Sequence, residues 1–434
     1  MTKPPVMYPA PGERLVRFVG DRLRFEIRVD GHAPKAGWSA RLRTNLCRAD
    51  ALHREIVEAH AKGASPAGAS WCDVPMQRSE HGWFLELPMA DIGFFKAKAY
   101  LLDPRGWRHW PDGPDFGVSV HPDWTRTANT IYCAFTRLFG KTKSALSTEG
   151  PARETQLKAL EAEGYAVLPP SGKLRDLVAQ LPHITDTLGC RILHLLPVMP
   201  TPTTYARFGR YGSPYACLDL TAIDPALVEF DKKNTGVEQF IELATATHRR
   251  GAKLFLDIVI NHTGWGSTLQ ENFPQFFLRK PGAEFHSPGA WGTTWEDLVE
   301  LKQDSVALWD VIADSLLVWC RRGVDGFRCD AGYMVPMRAW QYIIARVRRE
   351  FPGAVFLLEG LGGAWEATES LVTDGGMQWA YSELFQNYSA VQVSGYLDHA
   401  LKQSTRVGTL VHYSETHDND RLAKKGRAWS LLRN

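Results

Sequence analysis

From about Thr130 onward, short apolar runs alternate with amphipathic stretches, and this alternation constrains the chain more than any other feature. The runs TIYCAF, RILHLLPV, KLFLDIV, VDGFRC, AVFLLE, MQWAYSELF and TLVHYSE read as seven candidate strands. Helices fit between them. Thr235 and Glu238 form a capping box ahead of VEQFIELATATHRRG, and Gly251 stands where that helix should stop. Trp340, Ile343, Ile344 and Val347 make one apolar stripe at helical spacing. Gly323 and Gly353 occupy the stop positions of their helices. Pro182 should kink or break KLRDLVAQLPHITDTLG. Strand-then-helix repetition means a parallel sheet, either open and doubly wound or closed as a (β/α)8 TIM barrel. No glycine-rich phosphate loop follows the first strand, which counts against a dinucleotide enzyme.

Upstream the texture differs. LRFEIRV (Leu23 to Val29) alternates apolar and charged residues, and GWFLEL and GFFKAKAYLL repeat the habit between glycines and prolines. Residues 1–125 therefore read as an N-terminal β-sandwich, and residues 126–434 as the α/β domain. Inside the latter, residues 263–303 lack strong periodicity and carry seven Trp and Phe residues, from Trp265 to Trp295. A stretch of that length is expected to be a functional loop or an inserted subdomain.

Bulk properties narrow the function. Net charge is +2, from 50 basic against 48 acidic residues, so a nucleic-acid or membrane-surface role driven by charge is not expected. No run of about 18 apolar residues suggests a membrane span, and the N-terminus MTKPPVMYPAPGERL lacks a signal-peptide core. Seven scattered cysteines read as buried thiols of a reducing compartment, which points to the cytoplasm. The sequence carries no signature of oligomeric state.

The polar residues at the strand ends carry the chemistry. KLFLDIV runs into Asp257, Asn261 and His262; VDGFRC ends in Arg328 and Asp330; AVFLLE ends in Glu359; TLVHYSE leads to Glu415, His417 and Asp418. A lone Asp or Glu after a strand is usually a cap or a solvated charge, and a lone His is usually structural. Cys329 reads as an apolar filler and Glu415 as a structural charge. Carboxylates at four strand ends, all at the same end, fit one site better than four accidents, because barrel sites gather there. Paired carboxylates suit glycoside cleavage, one ionised to attack and one protonated to release the leaving oxygen. Arg328, two residues from Asp330 and on the same strand face, would hold Asp330 ionised as the nucleophile.

These motifs resemble, in order, those of the α-amylase family of retaining glycoside hydrolases and transglycosylases. DIVINH is similar to the first motif, GFRCD to the second, LLEG to the third and THD to the fourth. GSPYACLDLTAIDP is similar to the segment after the second strand. The resemblance runs from about Thr130 to the end and implies a (β/α)8 barrel with a domain B after its third strand, here residues 263–303. It implies Asp330 as nucleophile, Glu359 as general acid/base and Asp418 as transition-state stabiliser. It also implies that Asp257 pairs with Arg328, that His262 and His417 bind the sugar at the cleavage point, and that Tyr215 stacks on it. Calcium, bound by many relatives near the asparagine equivalent to Asn261, has no dense set of Asp and Asn ligands here, and no other cofactor is implied.

Two departures matter. Where relatives carry lysine and histidine after the nucleophile, this chain has Tyr333 and Met334, which favours an aromatic platform for an acceptor. The chain also stops at Asn434, soon after the fourth motif, so an eighth β/α unit is not visible in it. The leading expectation is hydrolysis of α-1,4-glucans such as maltodextrin, starch or glycogen through a covalent glycosyl-enzyme intermediate. Transglycosylation on the same substrates is the alternative, and a non-catalytic sugar-binding protein is the third reading.

Overall fold

The structure, a computed structural model, describes residues 4–29, 36–127, 129–141, 151–165, 170–202, 212–360, 363–384, 389–418 and 420–428. They divide into two compact units, Met1–Thr127 with Trp340–Asn434, and Ala128–Ala339.

The first unit begins with β1 (Val6–Tyr8), β2 (Arg14–Phe18), β3 (Arg22–Arg28) and β4 (Ser39–Thr44). Helix α1 (Ala49–Ala61) follows, then β5 (Cys72–Pro75), β6 (Gln77–Arg78), β7 (Trp83–Pro88), β8 (Gly93–Leu102), β9 (Arg108–His109) and β10 (Phe116–His121). The alternation in β3 does what its pattern dictates: Leu23, Phe25 and Ile27 are buried while the intervening charged residues are exposed. Two sheets result, ordered β1-β3-β7-β6 and β2-β10-β8-β4-β5, with β9 added to β8. Phe25 and Ile27 of one sheet and Leu42, Phe95, Phe116 and Val118 of the other share one apolar core. β2 pairs with β10 in parallel, unlike its antiparallel neighbours.

The second unit holds β11 (Ile131–Ala134), α2 (Pro151–Ala162), α3 (Leu174–Pro182), β12 (Ile192–Leu195), α4 (Gly236–Arg249) and β13 (Lys253–Val259). After them come β14 (His262–Gly264), α5 (Thr268–Asn272), β15 (Gly289–Ala290), β16 (Thr293–Thr294), β17 (Leu298–Glu300), α6 (Val306–Arg321) and β18 (Gly326–Asp330). β11, β12, β13 and β18 form a parallel run in chain order. All of β12 and all but the first residue of β13 are buried, as strands covered on both faces must be. Thr235 caps α4 as expected, its hydroxyl accepting from Glu238 N while the Glu238 carboxylate accepts from Thr235 N. Past α6, Gly323 has φ +102°, and a Cβ there would stand 2.8 Å from the Ala244 Cβ of α4. The missing N–H of Pro182 ends α3, and the chain continues through one π turn, 183–187.

The chain returns to the first unit within α7 (Met337–Glu350), then forms β19 (Val355–Leu358), α8 (Trp365–Val372), β20 (Trp379–Tyr381), α9 (Ala390–Arg406) and β21 (Thr409–Val411). β19, β20 and β21 pair in parallel. The predicted stripe of α7 is fully inside, with Trp340, Ile343, Ile344 and Val347 no more than 2% exposed. Burying each such side chain stabilises by about 1.5–3 kcal/mol. Gly353 departs from expectation, because its φ is not positive. Helix α7 stops at Glu350, and Pro352 blocks its continuation instead.

None of the seven cysteines forms a disulfide. Cys47 and Cys133 are exposed, which corrects the expectation that all were buried: Cys47 sits at φ +58° in a turn after β4, and Cys133 in a thinly covered β11. No helix among the described residues is long and apolar enough to cross a membrane.

Candidate active site

The site in the second unit grows from the register of two strands. Asp257 of β13 lies opposite Arg328 of β18, and Val259 lies opposite Asp330. Residues two apart share a face, so Asp257, Arg328 and Asp330 project together. Arg328 Nη1 donates to both carboxylate oxygens of Asp257, at 3.0 and 3.1 Å, and to Asp330 Oδ1 at 2.7 Å. Asp257 and Arg328 are almost wholly buried, whereas Asp330 keeps 13% side-chain exposure. Burying such charges is tolerable only because they pair. Tyr215 completes the cluster, its hydroxyl donating to Asp257 Oδ2 at 3.0 Å and its ring lying 5.7 Å from the guanidinium carbon.

His262 approaches from the other side. Pairing of β14 with β17 sets His262 opposite Glu300, and the Trp295 ring meets its edge at 5.9 Å. Burial lowers its pKa to about 3, so the imidazole is neutral at ordinary pH. Asn261 Nδ2 lies 3.3 Å from His262 Nδ1. An amide N–H donating to Nδ1 leaves the ring proton on Nε2, which lies 3.9 Å from Asp330 Oδ2. The same Asn261 Nδ2 also faces the Met334 sulfur at 3.9 Å. No cluster of three or more His, Cys, Asp or Glu among the described residues could hold a metal ion.

After Asp330 the chain turns sharply, with Ala331 at φ +45°. This turn carries Tyr333, half-buried, to within 6.4 Å of the Trp291 ring at a tilt of 42°. Trp291 is 73% exposed at the tip of the β15–β16 hairpin. Cys329 is buried, and burial raises its thiol pKa well above the usual value, so it serves as inert packing.

Sequence reading missed His194. It is 2% exposed on β12, directly opposite Cys133 of β11, with Nε2 at 3.5 Å from Asp257 Oδ2. Burial opposes its protonation, but Cys133 and Asp257 outweigh that and raise its pKa to about 9. The direction of this shift favours the charged imidazole beside Asp257. The available signal was a histidine inside the otherwise apolar run ILHLL.

The remaining expected residues belong to the first unit. Glu359 follows β19 immediately and is 9% exposed. His417 Nε2 lies 3.2 Å from Asp418 Oδ2, with side-chain exposures of 20% and 56%. Glu415 accepts from Leu422 N and pairs with Arg421 at 2.8 Å, and these partners lower its pKa.

Residues 134–354, about half of the 434-residue chain, match the family described as Alpha amylase, catalytic domain. The chain belongs to the alpha-amylase family. Tyr215, Asp257, His262, Arg328 and Asp330 lie inside the matched stretch, and Glu359, His417 and Asp418 beyond it. Among curated relatives, the chain is 28% identical over 238 residues to an alpha-1,4-glucan:maltose-1-phosphate maltosyltransferase of Pseudomonas aeruginosa, covering 49% of this chain and 34% of the relative. It is 23% identical over 282 residues to the intracellular maltogenic amylase of Bacillus subtilis, covering 59% and 44%. An alpha-amylase structure from Lactobacillus plantarum is 25% identical with a TM-score of 0.53, covering 68% of this chain and 64% of that one. The chain spans about a third or less of the length of the maltosyltransferases it matches. Family and structural likeness together assign a TIM-barrel type of fold.

Proposed function

We propose that this chain is a retaining glycosidase of α-1,4-glucans. The observation that carries the reading is Arg328 held between Asp257 and Asp330. A carboxylate paired with a guanidinium is ionised, and Asp330 is the member of the network that keeps exposure, so it is the one able to reach an anomeric carbon. In the first step an Asp330 oxygen bonds to that carbon while the glycosidic C–O bond breaks, and Glu359 protonates the departing oxygen. In the second, Glu359 takes a proton from water, the hydroxide attacks the same carbon, and Asp330 leaves as carboxylate. General acid and base work of this kind contributes roughly 10²–10⁴-fold in rate. The proton on His262 Nε2 is aimed at a sugar hydroxyl. Resemblance to the family supports Tyr215 as the residue that stacks on the sugar, His417 as a binder of its hydroxyls and Asp418 as the stabiliser of developing positive charge. Maltodextrin, starch and glycogen are the substrate class, and free thiols throughout the chain suit a cytoplasmic location.

Transfer to a sugar acceptor is the second reading. It is supported by the maltosyltransferase relatives and by Tyr333 beside the exposed Trp291, an apolar wall that suits a pyranose face better than water. Incubation with maltoheptaose followed by chromatography separates the readings. Shorter oligosaccharides alone mean hydrolysis, and products longer than the substrate mean transfer. Inactivity equal to that of Asp330→Ala means a sugar-binding protein and refutes the proposal.

A further inference from the structure

Three adjacent strands of the second unit set a cysteine, a histidine and an aspartate in line. Cys133 of β11 is directly opposite His194 of β12 in a parallel pair. Paired strands lie about 4.8 Å apart, and opposed residues leave the sheet on the same face. On the other side of β12, β13 places Phe255 opposite His194, and Asp257, two residues on, shares that face. His194 Nε2 stands 3.5 Å from Asp257 Oδ2. Asp257 and His194 are buried, whereas Cys133 is exposed. The series therefore runs from a buried acid, through a buried imidazole, to a thiol that solvent can reach.

This setting suits a nucleophilic sulfur. Burial opposes a proton on His194, but Cys133 and Asp257, each by charge and by hydrogen bond, raise its pKa to about 9. An imidazole that holds a proton beside a thiol favours the thiolate, which is the form that attacks. The other cysteines are placed differently. Cys47 is also exposed, but partial burial and the Asp91 charge raise its thiol pKa. Cys190, Cys217 and Cys329 are buried, and burial raises their thiols as well. Exposure and an acid–base partner thus coincide at Cys133.

We propose that Cys133, with His194 as its acid–base partner, is a modification site that reacts with low-molecular-weight disulfides to form a mixed disulfide. The thiol proton passes to His194. The Cys133 sulfur bonds to one sulfur of R–S–S–R, the S–S bond of the reagent breaks, and RS− leaves and takes the proton from His194. Cys133 is oxidised, one half of the reagent is reduced, and no further reactant is needed. Attack by a second thiol reverses the step. The mark is therefore reversible, and it lies beside the imidazole that touches Asp257.

The test uses the full chain and oxidised glutathione at pH 7. Samples are quenched at intervals by alkylation, digested and mapped by mass spectrometry. The glutathione adduct should build up on the Cys133 peptide at least about tenfold faster than on the Cys47 peptide, as the gap between an activated and an ordinary thiol implies, and dithiothreitol should remove it. His194→Gln should slow labelling of Cys133 about tenfold and leave the Cys47 rate unchanged; a purely structural effect of the substitution would instead loosen the fold and speed labelling of the buried cysteines. The comparison within wild type needs no variant, so the proposal stays refutable if His194→Gln does not fold. Equal rates at Cys133 and Cys47 in wild type, or an unchanged Cys133 rate in folded His194→Gln, overturns it. Neither readout depends on activity toward glucans.

Discussion

Replacing Arg328 by methionine removes one nearly isosteric cation and leaves two carboxylates facing each other. Asp257 has no exposed surface, so solvent cannot replace the lost partner. Three charge-assisted contacts from Nη1 disappear at once, and Asp257 retains the Tyr215 hydroxyl and the imidazole of His194. Breaking one side of a buried ion pair costs about 3–5 kcal/mol. The lower end applies here, because two partners of Asp257 remain. Adding Asp257→Asn to Arg328→Met removes the stranded charge, so the double variant should be more stable than the two single losses summed. Contacting residues of this kind couple by about 0.5–3 kcal/mol. Urea denaturation of wild type, both single variants and the double variant measures each corner of the cycle. If Arg328→Met lies within about 0.5 kcal/mol of wild type, a range typical of surface substitutions, or the cycle shows no coupling, the account of this network is wrong.

Three further outcomes follow from the fold. Thr235→Ala should cost about 1 kcal/mol, since it removes the side-chain half of the α4 capping box, and chemical denaturation reads this directly. Gly323→Ala should cost more than the roughly 1 kcal/mol usual for a left-handed residue, because the new Cβ would also press on Ala244 at 2.8 Å; the shift in urea midpoint checks it. The folded pKa of His194, about 9, lies above its ordinary 6.5, so its protonation stabilises the native chain fully below pH 6.5 and the gain fades as pH rises through 9. A difference of that size corresponds to at most roughly 3.4 kcal/mol. Midpoints measured from pH 6 to 10 should fall for wild type and stay flatter for His194→Gln.

Much of the strand-and-helix part of the chain and of its candidate site is legible in sequence because the signals are local. Each of the seven apolar runs is a strand, and each is short enough for turn chemistry to bound it. Asp257 and Arg328 stand out because charges inside apolar strands demand partners, and their register supplies one. His194 carries no such flag: a single histidine in an apolar run reads as packing until the neighbouring strands place Cys133 and Asp257 around it. Trp291 reads as one aromatic among seven, because its exposure depends on a hairpin tip at φ +50°, a long-range matter. Exposure of Cys47 likewise depends on a turn that no periodicity announces.

The most direct test traps the covalent step. A fluorinated glucosyl fluoride slows breakdown of a glycosyl-enzyme more than its formation, so a retaining enzyme accumulates the adduct. After incubation and proteolysis, mass spectrometry should find one added sugar on the peptide containing Asp330, and none on that peptide from Asp330→Ala. A label on any other carboxylate, or an active enzyme that never labels, would contradict the assignment of Asp330 as the group that bonds to the sugar.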